Sequence, residues 1–184
     1  MSVPDLITTG RLRLRPWRAA DAAGLLPLLE ANQAHIAPWI PRHVSEIVPL
    51  QELATRLEER AAAFVAGTAW RYASFLAADG RLLGEVSLFP RDATGRVPLA
   101  DADRVEIGYW LRRDMTGLGL ATEAARAMLD VATALPQGRL VEIRCDPRNA
   151  ASGAVAQRLG FVLAAPETGA GPTQVWRLDR AAMR

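Results

Sequence analysis

Cysteine, histidine and long apolar runs are scarce in this chain of 184 residues. Its single cysteine, Cys145, excludes a disulfide framework and offers no zinc-ligand spacing, so we expect no metal centre. The sequence contains no run of 18 apolar residues, and it does not begin with a charged segment followed by an apolar one, as a signal peptide does. This predicts a cytoplasmic protein without a membrane partner. The formal net charge is only +2, and no basic run is dense enough to predict a nucleic-acid partner.

The composition does supply the apolar side chains that a core requires. Half of the residues are hydrophobic and 23% are charged. These fractions are typical of one ordinary globular domain, so we treat residues 1–184 as a single domain. Both a monomer and a homodimer are compatible with the sequence.

The most informative stretch runs from residue 105 to residue 125. Apolar and other residues alternate over 105–111, which predicts a strand, and from Leu118 onward apolar residues recur every three or four positions, which predicts a helix. Gly117 and Gly119 lie between the two patterns. A glycine turn that leads into a helix exposes the unpaired N–H groups of the first helical turn, and these bind anions such as a pyrophosphate.

Spacing separates the known kinds of phosphate-binding loop. A Walker loop requires Gly-Lys-Ser/Thr, and no lysine lies near this turn. A dinucleotide-binding loop requires a third glycine where Thr122 stands, and an acidic residue after the next strand, which Asp146 matches only loosely. A turn that merely enters a helix remains the simplest alternative.

Two motifs resemble those of the GNAT N-acetyltransferases, which bind acetyl-CoA. Thr116-Gly-Leu-Gly119-Leu-Ala121 resembles their phosphate loop, Arg/Gln-x-x-Gly-x-Gly/Ala, except that threonine replaces the first residue. Arg112 and Arg113 are candidates to replace that side chain. Asn149-Ala-Ala-Ser152, followed by Leu159-Gly-Phe161, resembles the second motif.

The likeness is closest to the RimJ/RimL branch of that superfamily. Arg11-Leu-Arg-Leu-Arg15-Pro16, Glu106-Ile-Gly-Tyr-Trp-Leu111 and Gly117-Leu-Gly-Leu-Ala-Thr-Glu-Ala124 resemble segments of that branch. The resemblance implies an α/β GNAT fold, with a central mixed, mostly antiparallel sheet of about seven strands. It also implies that the sheet is splayed in the middle and has about four helices on its faces.

Hydrophobic periodicity and turn residues place the remaining elements. A strand is predicted over 6–16, and irregular loops are predicted over 90–102 and 166–173. The other predicted elements are helices over 21–32 and 45–65, a hairpin of 70–78 and 81–89, a strand over 140–145, a helix over 149–159 and a final hairpin of 161–165 and 174–178.

The resemblance also implies which residues bind the acetyl-CoA cosubstrate. They belong to the strand end, the phosphate loop, the helix start and the second motif. These are Trp110, Leu111, Thr116, Gly117, Leu118, Gly119, Leu120, Ala121, Thr122, Asn149 and Ser152.

Acetyl transfer to an amine requires a neutral amine and a proton for the departing thiolate. Glu106 is the first candidate base and Glu85 the second, although either carboxylate could instead pair with an arginine. Many relatives place a tyrosine acid at the position of Ala156, so the resemblance assigns the acid role to Ser152, which could also be only a helix-start serine. Trp39, Glu85 and Glu106 are the predicted acceptor-binding residues.

The predicted function is acetyl-CoA-dependent acetylation of a primary amine, most simply the N-terminal amine of a protein or peptide. An α-amine has a pKa near 7.7–8.0, against 10.4 for lysine, so it needs less help from a base. The alternatives are a small amine such as a polyamine, an aminoglycoside or another amine antibiotic, and a CoA-binding protein without activity. A nucleotide-binding dehydrogenase is the remaining alternative.

Overall fold

The computed structural model describes residues 3–165 and 173–179, and these form eight strands and five α-helices. The strands are β1 (Ile7–Thr8), β2 (Leu12–Pro16), β3 (Trp70–Leu76), β4 (Leu82–Arg91), β5 (Arg104–Leu111), β6 (Leu140–Cys145), β7 (Val162–Leu163) and β8 (Gln174–Asp179). The helices are α1 (Ala22–Ile36), α2 (Arg42–Ser45), α3 (Leu50–Ala66), α4 (Leu120–Thr133) and α5 (Ala150–Arg158).

All eight strands belong to one mixed sheet in the order β1-β2-β3-β4-β5-β6-β8-β7. Among the strands described, β5 and β6 form the one parallel pair, and every other neighbouring pair is antiparallel. The predicted mixed, mostly antiparallel sheet is therefore confirmed.

The predicted count of about seven strands is one too low. The segment 6–16, predicted as a single strand, folds back on itself so that Ile7 pairs with Leu14 and Thr8 with Arg13. The five helices agree with the prediction of about four: the additional one is the short helix α2, which lies before the helix predicted over 45–65, and that helix begins only at Leu50. Proline restricts the residue before it to extended conformations, and Pro49 accordingly separates α2 from α3.

The sheet opens between its two central strands. The β5–β6 ladder contains only three pairs and ends where Ile107 pairs with Ile143, whereas the β4–β5 ladder continues over eight pairs to Leu111. Residues 108–111 therefore remain paired with β4 alone. This is the predicted splay, and it leaves a gap between the end of β5 and the end of β6.

Helices cover both faces of the sheet, and β5 contributes alternate side chains to each. Val105 and Ile107 pack in the larger core with α4 and α5, whereas Trp110 packs in the smaller core with α1 and α3. We call these two sides the α4 face and the α3 face. Glu106, between Val105 and Ile107, therefore lies on the α3 face.

The remaining differences concern where elements end. Helix α1 continues to Ile36, four residues beyond its predicted end, and β4 continues to Arg91. The final hairpin is confirmed by the antiparallel β7–β8 pair, while residues 166–172 of its predicted loop lie outside the described residues. In the described part of the chain, no helix is long and apolar enough to cross a membrane.

Candidate active site

A glycine loop joins the end of β5 to the start of α4. After a short 3₁₀ turn, Gly117 and Gly119 adopt φ angles of 75° and 77°, a left-handed conformation that favours glycine. The first intrahelical bond runs from the N–H of Glu123 to the carbonyl of Gly119, 3.0 Å away. The N–H groups of residues 120–122 therefore have no acceptor within the helix and are available to an anion.

The surroundings of the loop leave room for a phosphate. A Cβ atom on Gly117 would meet nothing within 4 Å. The Oγ1 atom of Thr122 is buried in the first turn of α4 and has no hydrogen-bond partner among the described residues. Open space and unpaired donors together fit the pyrophosphate of a CoA molecule. Thr116 also lies in the loop, but its hydroxyl donates to the carbonyl of Arg113 at 2.8 Å.

Arg11 brings a positive charge to this loop, and sequence reasoning did not assign it there. Its Nη1 donates to the carbonyl of Leu118 at 2.8 Å, and its Nη2 lies 3.6 Å from the position of a Cβ on Gly119. Glu123 holds Arg11 through a 2.7 Å ion pair and also accepts from the Thr9 hydroxyl. Arg112, a predicted substitute for the missing loop side chain, instead pairs with Asp114 at 2.6 Å.

The start of the loop is fixed from the other face of the sheet. The N–H of Arg113 donates to the side-chain oxygen of Asn32 on α1 at 2.8 Å. Trp110 and Leu111, the last residues of β5, are both buried beside the gap, and the indole N–H of Trp110 has no partner among the described residues. Their backbone groups that point away from β4 face the gap, because such groups alternate in direction along a strand.

Ser152 and Asn149 lie together at the start of α5, on the far side of the gap. The Asn149 side chain caps the helix by accepting the N–H of Ser152 at 3.2 Å. Tyr109 reaches them from β5, where its hydroxyl lies 3.1 Å from Ser152 Oγ and donates to the Ser152 carbonyl at 2.9 Å. Burial raises the pKa of Tyr109, so this phenol keeps its proton at neutral pH.

Ala156, at the position where many relatives carry the tyrosine acid, is fully buried. The structure instead brings the phenol of Tyr109 to the same helix from a strand. Sequence reasoning missed this residue because Tyr109 reads only as an apolar member of the β5 alternation. Tyr109 and Ser152 are 43 positions apart in the chain, so the sequence gives no sign of their contact.

The two candidate bases lie on the α3 face, and arginines hold both. Glu106 accepts hydrogen bonds from Arg91 and, at 2.9 Å, from Arg96. Glu85 is 3% exposed and accepts from four donors. These are the indole of Trp17 at 2.7 Å, Arg71 at 2.8 Å, the hydroxyl of Ser87 at 2.9 Å and Arg60 at 3.1 Å.

Burial alone would raise the pKa of Glu85, but the guanidinium groups of Arg60 and Arg71 lower it overall. Its four hydrogen bonds connect the sheet to α3 and to the segment before α1. Trp39 lies in the turn between α1 and α2, and its side chain is 41% exposed.

Comparison with known proteins identifies the family. Residues 11–162 match the acetyltransferase (GNAT) domain. The chain belongs to the GNAT acetyltransferase family. It is therefore an acyltransferase, and the acetyl-CoA that the phosphate loop fits is its cosubstrate.

Relatives and a solved structure agree with this assignment. The chain is 26% identical over 148 residues to the probable N-acetyltransferase YjcK of Bacillus subtilis, covering 80% of this chain and 78% of that protein. It is 33% identical over 84 residues to the putative ribosomal N-acetyltransferase YdaF of the same organism, covering 46% of this chain and 42% of YdaF. The fold is similar to that of RimL, a ribosomal L7/L12 alpha-N-protein acetyltransferase solved with coenzyme A. That match has a TM-score of 0.78 and 20% identity, and it covers 97% of this chain and 98% of RimL.

Within 3–165 and 173–179, no group of three or more histidine, cysteine, aspartate and glutamate side chains is arranged to hold a metal ion.

Proposed function

We propose that this enzyme acetylates the N-terminal amine of a protein or peptide. Two similar proteins support the proposal, since RimL is an alpha-N-protein acetyltransferase and YdaF is a putative ribosomal N-acetyltransferase. We further propose a cytoplasmic enzyme that acts as a monomer or homodimer, without a nucleic-acid or membrane partner.

The cosubstrate supplies an activated acetyl thioester when it is bound. For this chain we propose that the N–H groups of residues 120–122 hold its phosphates. Arg11 adds a positive charge beside Leu118 and Gly119, whereas the hydroxyl of Thr116 is engaged with the carbonyl of Arg113. The edge of β5 at Trp110 and Leu111 would hold the arm that leads to the sulfur.

The α3 face carries the observation that most favours an α-amine. Both carboxylates there already accept charge-assisted hydrogen bonds from arginines, and a proton on either one would weaken those bonds. Glu106 is the better placed of the two, because it lies on β5 itself, one residue before the last parallel pair. A base of modest strength suits an amine that is already partly neutral at pH 7.

Ser152 supplies the proton on the other side of the gap in this proposal. Its hydroxyl is held between the start of α5 and the phenol of Tyr109. Tyr109 thus holds the Ser152 hydroxyl at the start of α5, within hydrogen-bond distance of the phenol. General acid catalysis of this kind contributes about 10²- to 10⁴-fold to a rate.

The direct test is acetyl-CoA-dependent thiol release across a panel of amines. The acceptors are peptides that start with serine, alanine or methionine, each paired with an Nα-blocked copy, together with spermidine, an aminoglycoside and free lysine. We expect release with a free peptide amine and none with its blocked copy. Release with the small amines alone would contradict the proposal and favour the alternative substrate class.

A further inference from the structure

The α3 face carries more cations than anions around the two candidate bases. Arg60 and Arg71 share the single carboxylate of Glu85, at 3.1 and 2.8 Å. In the same way, Arg91 and Arg96 share the carboxylate of Glu106. Four guanidinium groups therefore face two carboxylates, which leaves two positive charges in excess. We call these six residues the arginine cluster.

The next carboxylate along the sheet does not remove this excess. Glu142 lies 3.7 Å from Arg91, but it is fully buried and held at 3.1 Å by both Arg104 and Arg144 and at 2.8 Å by Arg177. These three arginines already balance the negative charge of Glu142, so it does not neutralise the arginine cluster.

The positive potential reaches the surface above the sheet. His43, an exposed residue on α2, has its pKa lowered by partial burial and by the nearby charges of Arg71, Arg60, Arg96 and Arg56. The surroundings of His43 thus disfavour a cation and favour an anion.

Phe89 holds two members of the cluster beside the gap. The guanidinium carbons of Arg96 and Arg71 lie 3.5 and 4.8 Å from the centre of its ring. Phe89 pairs with Glu106 across the sheet, and its ring lies 3.5 Å from the position of a Cβ on Gly108, the first residue of β5 beyond the parallel ladder. The side chain of Arg96 is 43% exposed, so a ligand at the gap can reach it.

We propose that the arginine cluster binds a carboxylate of the acceptor, so that the preferred substrate is a peptide with acidic residues directly after its N-terminal amine. The inference rests on the proposed function of this same site. Arginine presents parallel N–H donors that match a carboxylate, and an excess of fixed positive charge repels polyamines and aminoglycosides. Arg96 is the specificity residue, because it combines exposure with a position beside Glu106.

The test compares three peptides of equal length that begin with serine and continue with two glutamates, two glutamines or two lysines. We measure kcat/KM for each with the unchanged enzyme, Arg96→Gln, Arg96→Lys and Arg158→Gln. Arg158, at the exposed end of α5, serves as the matched control because α5 packs on the opposite face. The readout is the ratio between peptides, which a general effect on Glu106 does not change.

We expect the glutamate peptide to exceed the glutamine peptide by roughly tenfold and the lysine peptide by more. The preference should disappear in Arg96→Gln, weaken in Arg96→Lys, which keeps the charge but not the parallel donors, and persist in Arg158→Gln. Equal turnover of all three peptides would overturn this inference and leave the proposed function intact. Turnover of none would contradict the proposed function itself. Faster turnover of a phosphate-bearing amine than of the glutamate peptide would overturn the assignment to peptides.

Discussion

Replacing Gly119 tests whether the loop before α4 binds phosphate. The φ angle of 77° at this position suits asparagine and aspartate better than other side chains. A Cβ atom there would contact only the Arg11 guanidinium, at an ordinary 3.6 Å. Gly119→Asn and Gly119→Asp therefore fit the loop equally well, and they differ by one negative charge.

That charge sets the size of the expected effect. Two unit charges about 6 Å apart repel by about 3 kcal/mol at an effective dielectric constant of about 20. Partial neutralisation by Arg11 and screening by salt reduce this to about 2 kcal/mol, or roughly a 30-fold increase in Kd. We expect Gly119→Asn to bind CoA within a few-fold of the unchanged protein.

Isothermal titration calorimetry with CoA at low and high salt is the measurement. The difference in Kd between the asparagine and aspartate variants should become smaller at high salt, because salt screens the repulsion. Equal affinities for the asparagine and aspartate variants would refute the placement of a phosphate at this loop.

Three further predictions address the acid, a tight turn and a buried carboxylate. Ser152→Ala should lower kcat by about 10²-fold with CoA affinity unchanged in a calorimetric titration, and an unaltered kcat would remove Ser152 from the mechanism. Gly138→Ala should destabilise the protein by about 3 kcal/mol or more in a denaturant titration, because its Cβ would lie 1.6 Å from the carbonyl oxygen of Ala132. Gly95→Ala, where a Cβ meets nothing within 4 Å, is the control, and equal stability of the two variants would contradict this account. Glu85 has a pKa below its ordinary 4.5, because its two arginine partners outweigh the effect of burial. The ionised Glu85 therefore contributes fully to the stability of the folded protein above pH 4.5, and this contribution is lost as the pH falls through the pKa of the folded state. Denaturant titrations from pH 6 to 3 should therefore show a weaker pH dependence for Glu85→Gln, and an undiminished dependence would argue against the ion pairs.

Local patterns in the sequence predicted most of the fold. The change from period two to helical period places β5 and α4, and both glycines between them adopt a left-handed conformation. The hairpin predicted over 70–78 and 81–89 is likewise found as β3 and β4, joined by a turn that contains Asp79 and Gly80. These features depend on residues close together in the chain, which is why they can be predicted from the sequence.

The contacts that complete the site join residues far apart in the chain. Arg11 meets Glu123 across 112 positions, and Tyr109 meets Ser152 across 43. Each residue alone reads as an exposed charge or an apolar strand position, and only the tertiary packing brings the partners together. The ion pairs of Glu85 with Arg60 on α3 and with Arg71 on β3 could not be predicted for the same reason.

The central claim is that the acceptor is an N-terminal α-amine, and mass spectrometry of the product tests it most directly. A peptide with a free N-terminal serine and one internal lysine is incubated with acetyl-CoA and the enzyme, and fragment ions locate the acetyl group. The account predicts acetylation of the α-amine and an unmodified lysine. An acetyl group on the lysine, with the N-terminal amine free, would contradict it.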